Sequence, residues 1–128
     1  MQDRTVLFIN GEVTDYGFLA GLLHEDDFLV AVDGGLRHLQ VINRQPHLLI
    51  GDLDSVNPDQ LQVLSGEGVE IQRFPMEKDE TDLELALLET ARRGYKTILL
   101  VGALGGRLDQ MLANLYLLML PELHGLKV

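Results

Sequence analysis

Four continuous apolar runs recur along this chain with helical patterning between them, and that alternation limits the folds open to it. The runs are Thr5-Val6-Leu7-Phe8-Ile9, Phe28-Leu29-Val30-Ala31-Val32, His47-Leu48-Leu49-Ile50 and Thr97-Ile98-Leu99-Leu100-Val101. Each is short and closed by a glycine or a polar turn, the pattern of a strand buried on both faces. A fifth run, Val69-Glu70-Ile71-Gln72-Arg73-Phe74, alternates apolar with polar and reads as a strand with one exposed side near a sheet edge. Between the strands, Phe18, Leu19, Leu22 and Leu23 fall on one helix face behind a Thr14 cap. Leu36, Leu39 and Val41 belong to a helix leaving Asp33-Gly34-Gly35, and Asn57-Pro58 starts another that ends by Gly66. Thr81 to Glu84 fits a capping box, opening a helix with Leu83, Leu85, Ala86, Leu87, Leu88 and Ala91 that Gly94 ends. A last apolar helix is expected from about Leu108 to Leu120, stopped by Pro121, before Leu126-Lys127-Val128 begins another strand. Strand and helix in turn, with continuous apolar strands, predict a mostly parallel sheet covered by helices on both faces. Residues 1–128 read as one α/β domain with no repeat, low-complexity tract or linker.

Composition narrows the function. At 128 residues and 46% hydrophobic, the chain can bury a core of ordinary size. A net charge of -10 argues against a general nucleic-acid binder, which needs a basic face. It allows a nucleotide only on a condition. Two unit charges about 5 Å apart repel by about 3 kcal/mol at an effective dielectric near 20. Carboxylates facing a triphosphate therefore call for divalent cations between them. With no cysteine, disulfide and thiolate chemistry are excluded. His24, His38, His47 and His124 show no zinc-ligand spacing and read as surface or helix-face residues. No apolar export segment precedes the first strand, and the run at 115–120 is too short to span a bilayer, so a cytoplasmic location is the default expectation.

The polar residues collect at the ends of the apolar runs. Gly51-Asp52-Leu53-Asp54-Ser55 follows the third, and strand alternation would aim both aspartates one way. Core packing has no use for two carboxylates there, whereas a hard cation such as Mg²⁺ takes oxygen ligands and a phosphate together. Asp33-Gly34-Gly35, Lys78-Asp79-Glu80-Thr81-Asp82 and Gly102-Ala103-Leu104-Gly105-Gly106-Arg107-Leu108-Asp109 follow other strands. Taken singly, each has an ordinary explanation as a turn, a helix cap or first-turn electrostatics. In open α/β sheets, however, ligands bind beyond the carboxyl ends of the strands, and all four clusters fall there. Neither a P-loop nor a Gly-x-Gly-x-x-Gly fingerprint is present. The remaining reading is a carboxylate-rich, metal-dependent phosphate site with Arg107 and Lys78 as cations, suited to phosphoryl or pyrophosphoryl transfer.

The ordered set Asp-Gly-Gly, Gly-Asp-Leu-Asp-Ser, Lys-Asp-Glu-Thr-Asp and Gly-Gly-Arg-Leu-Asp resembles the thiamine pyrophosphokinases. Any one motif is weak, but the order and separations are specific. The resemblance implies a three-layer Rossmann-like catalytic domain that moves a pyrophosphoryl group from ATP to the hydroxyl of thiamine, giving thiamine diphosphate and AMP. It implies Mg²⁺ held by Asp52, Asp54, Asp79 and Asp82, with Asp52 and Asp54 counted as catalytic. Asp33, Gly34, Gly35, Ser55, Lys78, Thr81, Gly105 and Gly106 would line the nucleotide. Arg107 would stabilise charge on the transferred group, and Asp109 would orient that group or the alcohol. The family also implies a homodimer and a C-terminal β-rich domain, which this chain is expected to lack. Gln110 stands where the family usually has histidine, and glutamine takes no proton.

Two other readings stay open. Asp52-Leu53-Asp54-Ser55-Val56 also fits the nucleophile loop of haloacid-dehalogenase-like phosphatases, with Asp52 as nucleophile and Asp54 as acid/base. That family generally places the loop after its first strand. The third reading is a Mg-nucleotide-binding module without turnover of its own.

Overall fold

A computed structural model of the chain describes residues 4–11, 13, 15–51, 53, 56–74 and 82–102, the side chain of Asp82 excepted. Five parallel strands form one sheet in the order β4-β3-β2-β1-β5. The strands are β1 (Arg4–Phe8), β2 (Phe28–Val32), β3 (Leu48–Gly51), β4 (Glu70–Arg73) and β5 (Thr97–Val101). The helices are α1 (Tyr16–Leu22), α2 (Leu36–Val41), α3 (Pro58–Gly66) and α4 (Asp82–Arg92). A 3₁₀ turn over Asp33–Gly35 leads into α2.

Handedness explains the layers. From β1 to β4 the chain steps across the sheet in one direction, and from β4 to β5 it reverses and crosses to the far side of β1. Parallel crossovers are right-handed, so a reversal of direction moves the connecting helix to the opposite face. Two separate buried clusters follow. Val6, Phe8, Leu29, Ala31 and Leu49 pack with Leu19, Leu36, Leu39 and Leu64 of the first three helices. Leu7, Val30, Val32, Leu48, Ile50 and Ile98 pack with Leu83, Ala86 and Leu87 of α4. Adjacent residues of each strand serve opposite layers, which is why the inner strands are apolar throughout.

The elements fall close to the expected positions. Asn57 caps α3 by accepting the Asp59 N–H at 2.8 Å, with Pro58 in the first turn. β4 lies at the sheet edge, as its alternation requires. Three details differ. The cap of α1 is Asp15, whose carboxylate accepts the Phe18 N–H at 2.9 Å, so the helix begins later than a Thr14 cap would have it. Phe18 is 66% exposed and Leu22 40%, leaving Leu19 as the buried residue of α1. In α2 the third buried side chain is His38, while Val41 is 59% exposed. A helix of 6 residues makes less than two turns, too few for the apolar spacing to fix a face. The expected capping-box residue Thr81, the helix at 108–120 and the strand at 126–128 lie outside the described residues.

The amino-terminal ends of the strands are closed by ion pairs and rings. Arg4 donates to both carboxylate oxygens of Asp27, at 2.9 and 2.6 Å, tying the start of β1 to the residue before β2. Arg93, beyond α4, pairs with Glu70 of β4 at 2.6 Å and lies 5.5 Å over the Phe28 ring. Phe28 stacks on His47 on one side and Tyr95 on the other, both at 5.2 Å. His24, Asp26 and Asp27 approach within 4.8 Å at this end, but Arg4 occupies both Asp27 oxygens, which makes the group a lock between strands. Among the described residues no helix is long and apolar enough to cross a membrane.

Candidate active site

The opposite rim carries the polar loops. Pairing aligns the carboxyl ends: Phe8 lies opposite Ala31 and Val101, Val32 opposite Ile50, and Gly51 opposite Arg73. The described residues Asp33, Gly51, Phe74 and Gly102, from which the chain runs on into the four polar clusters, therefore share one edge of the sheet. Phe74 extends this alignment, its N–H donating to the Gly51 carbonyl at 2.8 Å. The reversal of chain direction lies between β1 and β5, and an open sheet offers its ligand crevice at that switch point.

Of the expected site residues, Asp33, Gly34 and Gly35 are fully described, and they sit in the turn after β2. Asp33 adopts φ 49, a left-handed conformation that aspartate tolerates better than most residues. Gly34 and Gly35 have a reason beyond phosphate approach. A Cβ on Gly35 would lie 1.8 Å from the Phe8 carbonyl oxygen, and one on Gly34 would lie 2.8 Å from the Asn10 side chain. These glycines bring the turn against the end of β1. Asp82 is the first residue of α4, which places its backbone at a helix start. Asp52, Asp54, Ser55, Lys78, Asp79, Thr81, Gly105, Gly106, Arg107 and Asp109 lie outside the described residues, as does Gln110.

Leu53 departs from a continuing strand. β3 ends at Gly51, and Leu53 adopts φ 64 with its side chain 1% exposed in the first cluster. Leu53 is thus a buried anchor in a conformation that costs a non-glycine residue about 1–3 kcal/mol. Strain of this kind persists where surrounding structure imposes it, and it clusters at binding sites.

Sequence reasoning missed the loop after β1. Arg37 of α2 donates through Nε to the Asn10 side-chain oxygen at 2.9 Å, and through Nη2 to the carbonyls of Asn10 at 3.0 Å and Gly11 at 3.1 Å. His38 Nε2 donates to the Gly11 carbonyl at 2.8 Å. A carbonyl only accepts, so this bond fixes the tautomer and leaves Nδ1 to accept the Tyr16 hydroxyl at 2.8 Å. Burial, with the Arg37 charge adding to it, lowers the His38 pKa below its ordinary 6.5. Periodicity gave no signal for this, because a polar pair inside a short helix looks like its solvated side.

The lowered histidines make acid stability a test of the packing. Burial also lowers His47, with the Arg44 charge second. A depressed folded pKa means that the unfolded chain takes the proton first, so stability is full above 6.5 and falls as pH drops toward the folded values. The unfolding free energy from urea titrations should decline between pH 7 and 5, by at most about 1.4 kcal/mol per pH unit per histidine. His38→Gln should flatten part of that slope; an unchanged slope would contradict the buried neutral imidazole. Asp27 acts lower down. Burial alone would raise its carboxyl, but Arg4 and the His24 N–H outweigh burial and hold it below 3.8.

A parallel sheet with its polar loops gathered at the carboxyl rim defines a Rossmann-like α/β domain whose ligand end is that rim. The family model described as thiamin pyrophosphokinase, catalytic domain, matches residues 19–128, and the chain belongs to that family. It is 31% identical over 100 residues to the thiamine pyrophosphokinase of Bacillus subtilis, covering 78% of this chain and 47% of that one. Rice thiamine pyrophosphokinase 2 is 32% identical over 81 residues, 59% of this chain and 30% of its own. The structure of a probable thiamine pyrophosphokinase from Staphylococcus saprophyticus superimposes with TM-score 0.72 at 26% identity, covering 99% of this chain and 63% of that one. A thiamin pyrophosphokinase family protein from Enterococcus faecalis gives TM-score 0.69 at 30% identity, over 95% and 56%. The chain spans about half the length of the Bacillus relative and less than a third of the rice one.

Proposed function

We propose that this domain catalyses Mg-dependent transfer of a pyrophosphoryl group from ATP to the hydroxyl of thiamine, forming thiamine diphosphate and AMP. The observation that carries the reading is the common rim: Val32, which precedes Asp33, is paired with Ile50, and Gly51, which precedes Asp52 in the sequence, is paired with Arg73 at the end of the strand before α4. An all-carboxylate donor set of Asp52, Asp54, Asp79 and Asp82 fits a hard cation, and Mg²⁺ bound there would offset phosphate charge that an acidic chain otherwise repels. Asp33, Gly34, Gly35, Ser55, Lys78, Thr81, Gly105 and Gly106 line the nucleotide in this reading. The thiamine oxygen forms its bond to the β-phosphorus as the bond to the AMP oxygen breaks, and the hydroxyl proton passes to water. Arg107 stabilises the charge that grows on the transferred group, and Asp109 orients that group or the alcohol. The family names and the Rossmann-like sheet support this assignment, and a homodimer is part of it.

Phosphorus NMR of the chain with Mg-ATP and thiamine tests it through the products. AMP appearing together with thiamine diphosphate is the expected result. ADP or orthophosphate would contradict pyrophosphoryl transfer and favour an Asp52 phosphatase instead.

A further inference from the structure

Asn10 and Gly11 occupy a position that the motifs do not mark. They follow β1, an inner strand of the sheet, and lie between the turn after β2 and Gly102, the residue after β5. Asn10 is the side chain that a Cβ on Gly34 would strike at 2.8 Å. On the other flank, a Cβ on Gly102 would lie 2.6 Å from the Ile9 carbonyl and 3.2 Å from the Gly11 nitrogen. Gly102 itself adopts φ 84, so the approach of the β5 loop to this segment depends on glycine twice over.

The orientation of the loop is fixed from one side. Arg37 holds the Asn10 side-chain oxygen and both carbonyls, and buried His38 holds the Gly11 carbonyl a second time. His38 is in turn held by Tyr16 of α1, so two helices fix one dipeptide. In a planar trans peptide the N–H points opposite to the carbonyl it is bonded through. With the Asn10 carbonyl drawn toward Arg37, the N–H of the same peptide is turned the other way, and the Gly11 nitrogen lies 3.2 Å and its carbonyl oxygen 3.1 Å from a Cβ built on Gly102. Among the described residues no backbone carbonyl takes that N–H. Carbonyls tied back and a glycine N–H turned outward make a backbone surface that an anion can approach closely.

We infer that Asn10–Gly11 is a phosphate-facing wall of the nucleotide site and that Arg37 and His38 are its positioning residues, acting through the loop. This rests on the reading of the rim as a Mg-nucleotide site and adds to it a wall from β1. The ligand class is the phosphate chain of a Mg-nucleotide, met by backbone donors. Arg37 acts here by holding carbonyls in place.

The test combines calorimetry and ¹⁵N NMR of the full chain with Mg-ATP as probe. The Gly11 amide resonance should move on binding, a response that a purely structural role of the loop would not give. Arg37→Met should weaken binding about tenfold, the scale of losing hydrogen bonds to a charged group, with little change in melting temperature because Arg37 is exposed. His38→Gln can donate and accept in the same two directions and should keep wild-type affinity, whereas His38→Leu should lose it. Binding by the wild type with an unmoved Gly11 amide, or undiminished binding by Arg37→Met, would overturn the inference and leave the rim site standing. No binding of Mg-ATP by the wild-type chain would overturn both.

Discussion

Gly35→Ala should leave no cooperatively folded chain. Its backbone, at φ -63 and ψ -13, is one that alanine adopts freely, so conformation is not the obstacle. Space is. The new Cβ would lie 1.8 Å from the Phe8 carbonyl oxygen, 2.4 Å from its carbon and 2.9 Å from the Ile9 nitrogen. None of these atoms belongs to a flexible side chain. Phe8 ends β1, an inner strand paired on both sides, with Ala31 and with Val101, so β1 cannot give way without breaking two ladders. The turn must move instead, and it carries Leu36, His38 and Leu39 out of the core with it. Displacements of this kind cost more than about 4 kcal/mol, a large share of the roughly 5–15 kcal/mol that holds a domain together. Thermal circular dichroism should show no sharp transition. Gly21→Ala is the control: nothing lies within 4 Å of its Cβ, and in α1 alanine should raise stability by about 0.5–1 kcal/mol. A Gly35→Ala chain melting near the wild type would show that β1 and the Asp33 turn are not in contact as described.

Arg107→Met should cut turnover while largely sparing nucleotide binding. Where charge grows in the transition state, a positioned guanidinium contributes more there than in the ground state. Losing one such donor costs about a hundredfold to a thousandfold in kcat. Mg-ATP affinity, which the proposed site assigns to a carboxylate-held cation and the backbone of the rim, should change by no more than about threefold. Steady-state kinetics beside calorimetry separates the two effects, and equal loss of kcat and affinity would make Arg107 an ordinary ground-state phosphate ligand. Gln110 cannot take up a proton, so the proposed chemistry relies on no acid–base step at that position.

The fold was legible because its strands bury both faces. β2 and β5 coincide with their apolar runs, and Asn57-Pro58 marks the start of α3. Continuous apolar character survives small errors of register, whereas the face of a short helix does not. The exposed Phe18 and Val41 and the buried His38 are the result. The motif set also led to the correct family. What was not legible is how the rim is held. Leu53 reads as part of a strand end but is a buried anchor in a left-handed conformation. His38 reads as a surface or helix-face residue and Arg37 carries no signal in the sequence, but together they tie down Asn10 and Gly11. Such contacts join residues 26 or 27 positions apart and depend on the packing of α2 against β1, which local periodicity does not carry.

The central claim is that the carboxyl rim is a Mg-nucleotide site made by the Asp52–Asp54 loop. Calorimetry of ATP binding, with Mg²⁺ and with a chelator, to the wild type and to Asp52→Asn and Asp54→Asn tests it most directly. The account predicts saturable binding to the wild type with Mg²⁺, loss of binding with chelator, and at least about a tenfold weaker affinity in each variant at unchanged melting temperature. Wild-type affinity in either variant, or binding that ignores the chelator, would contradict it.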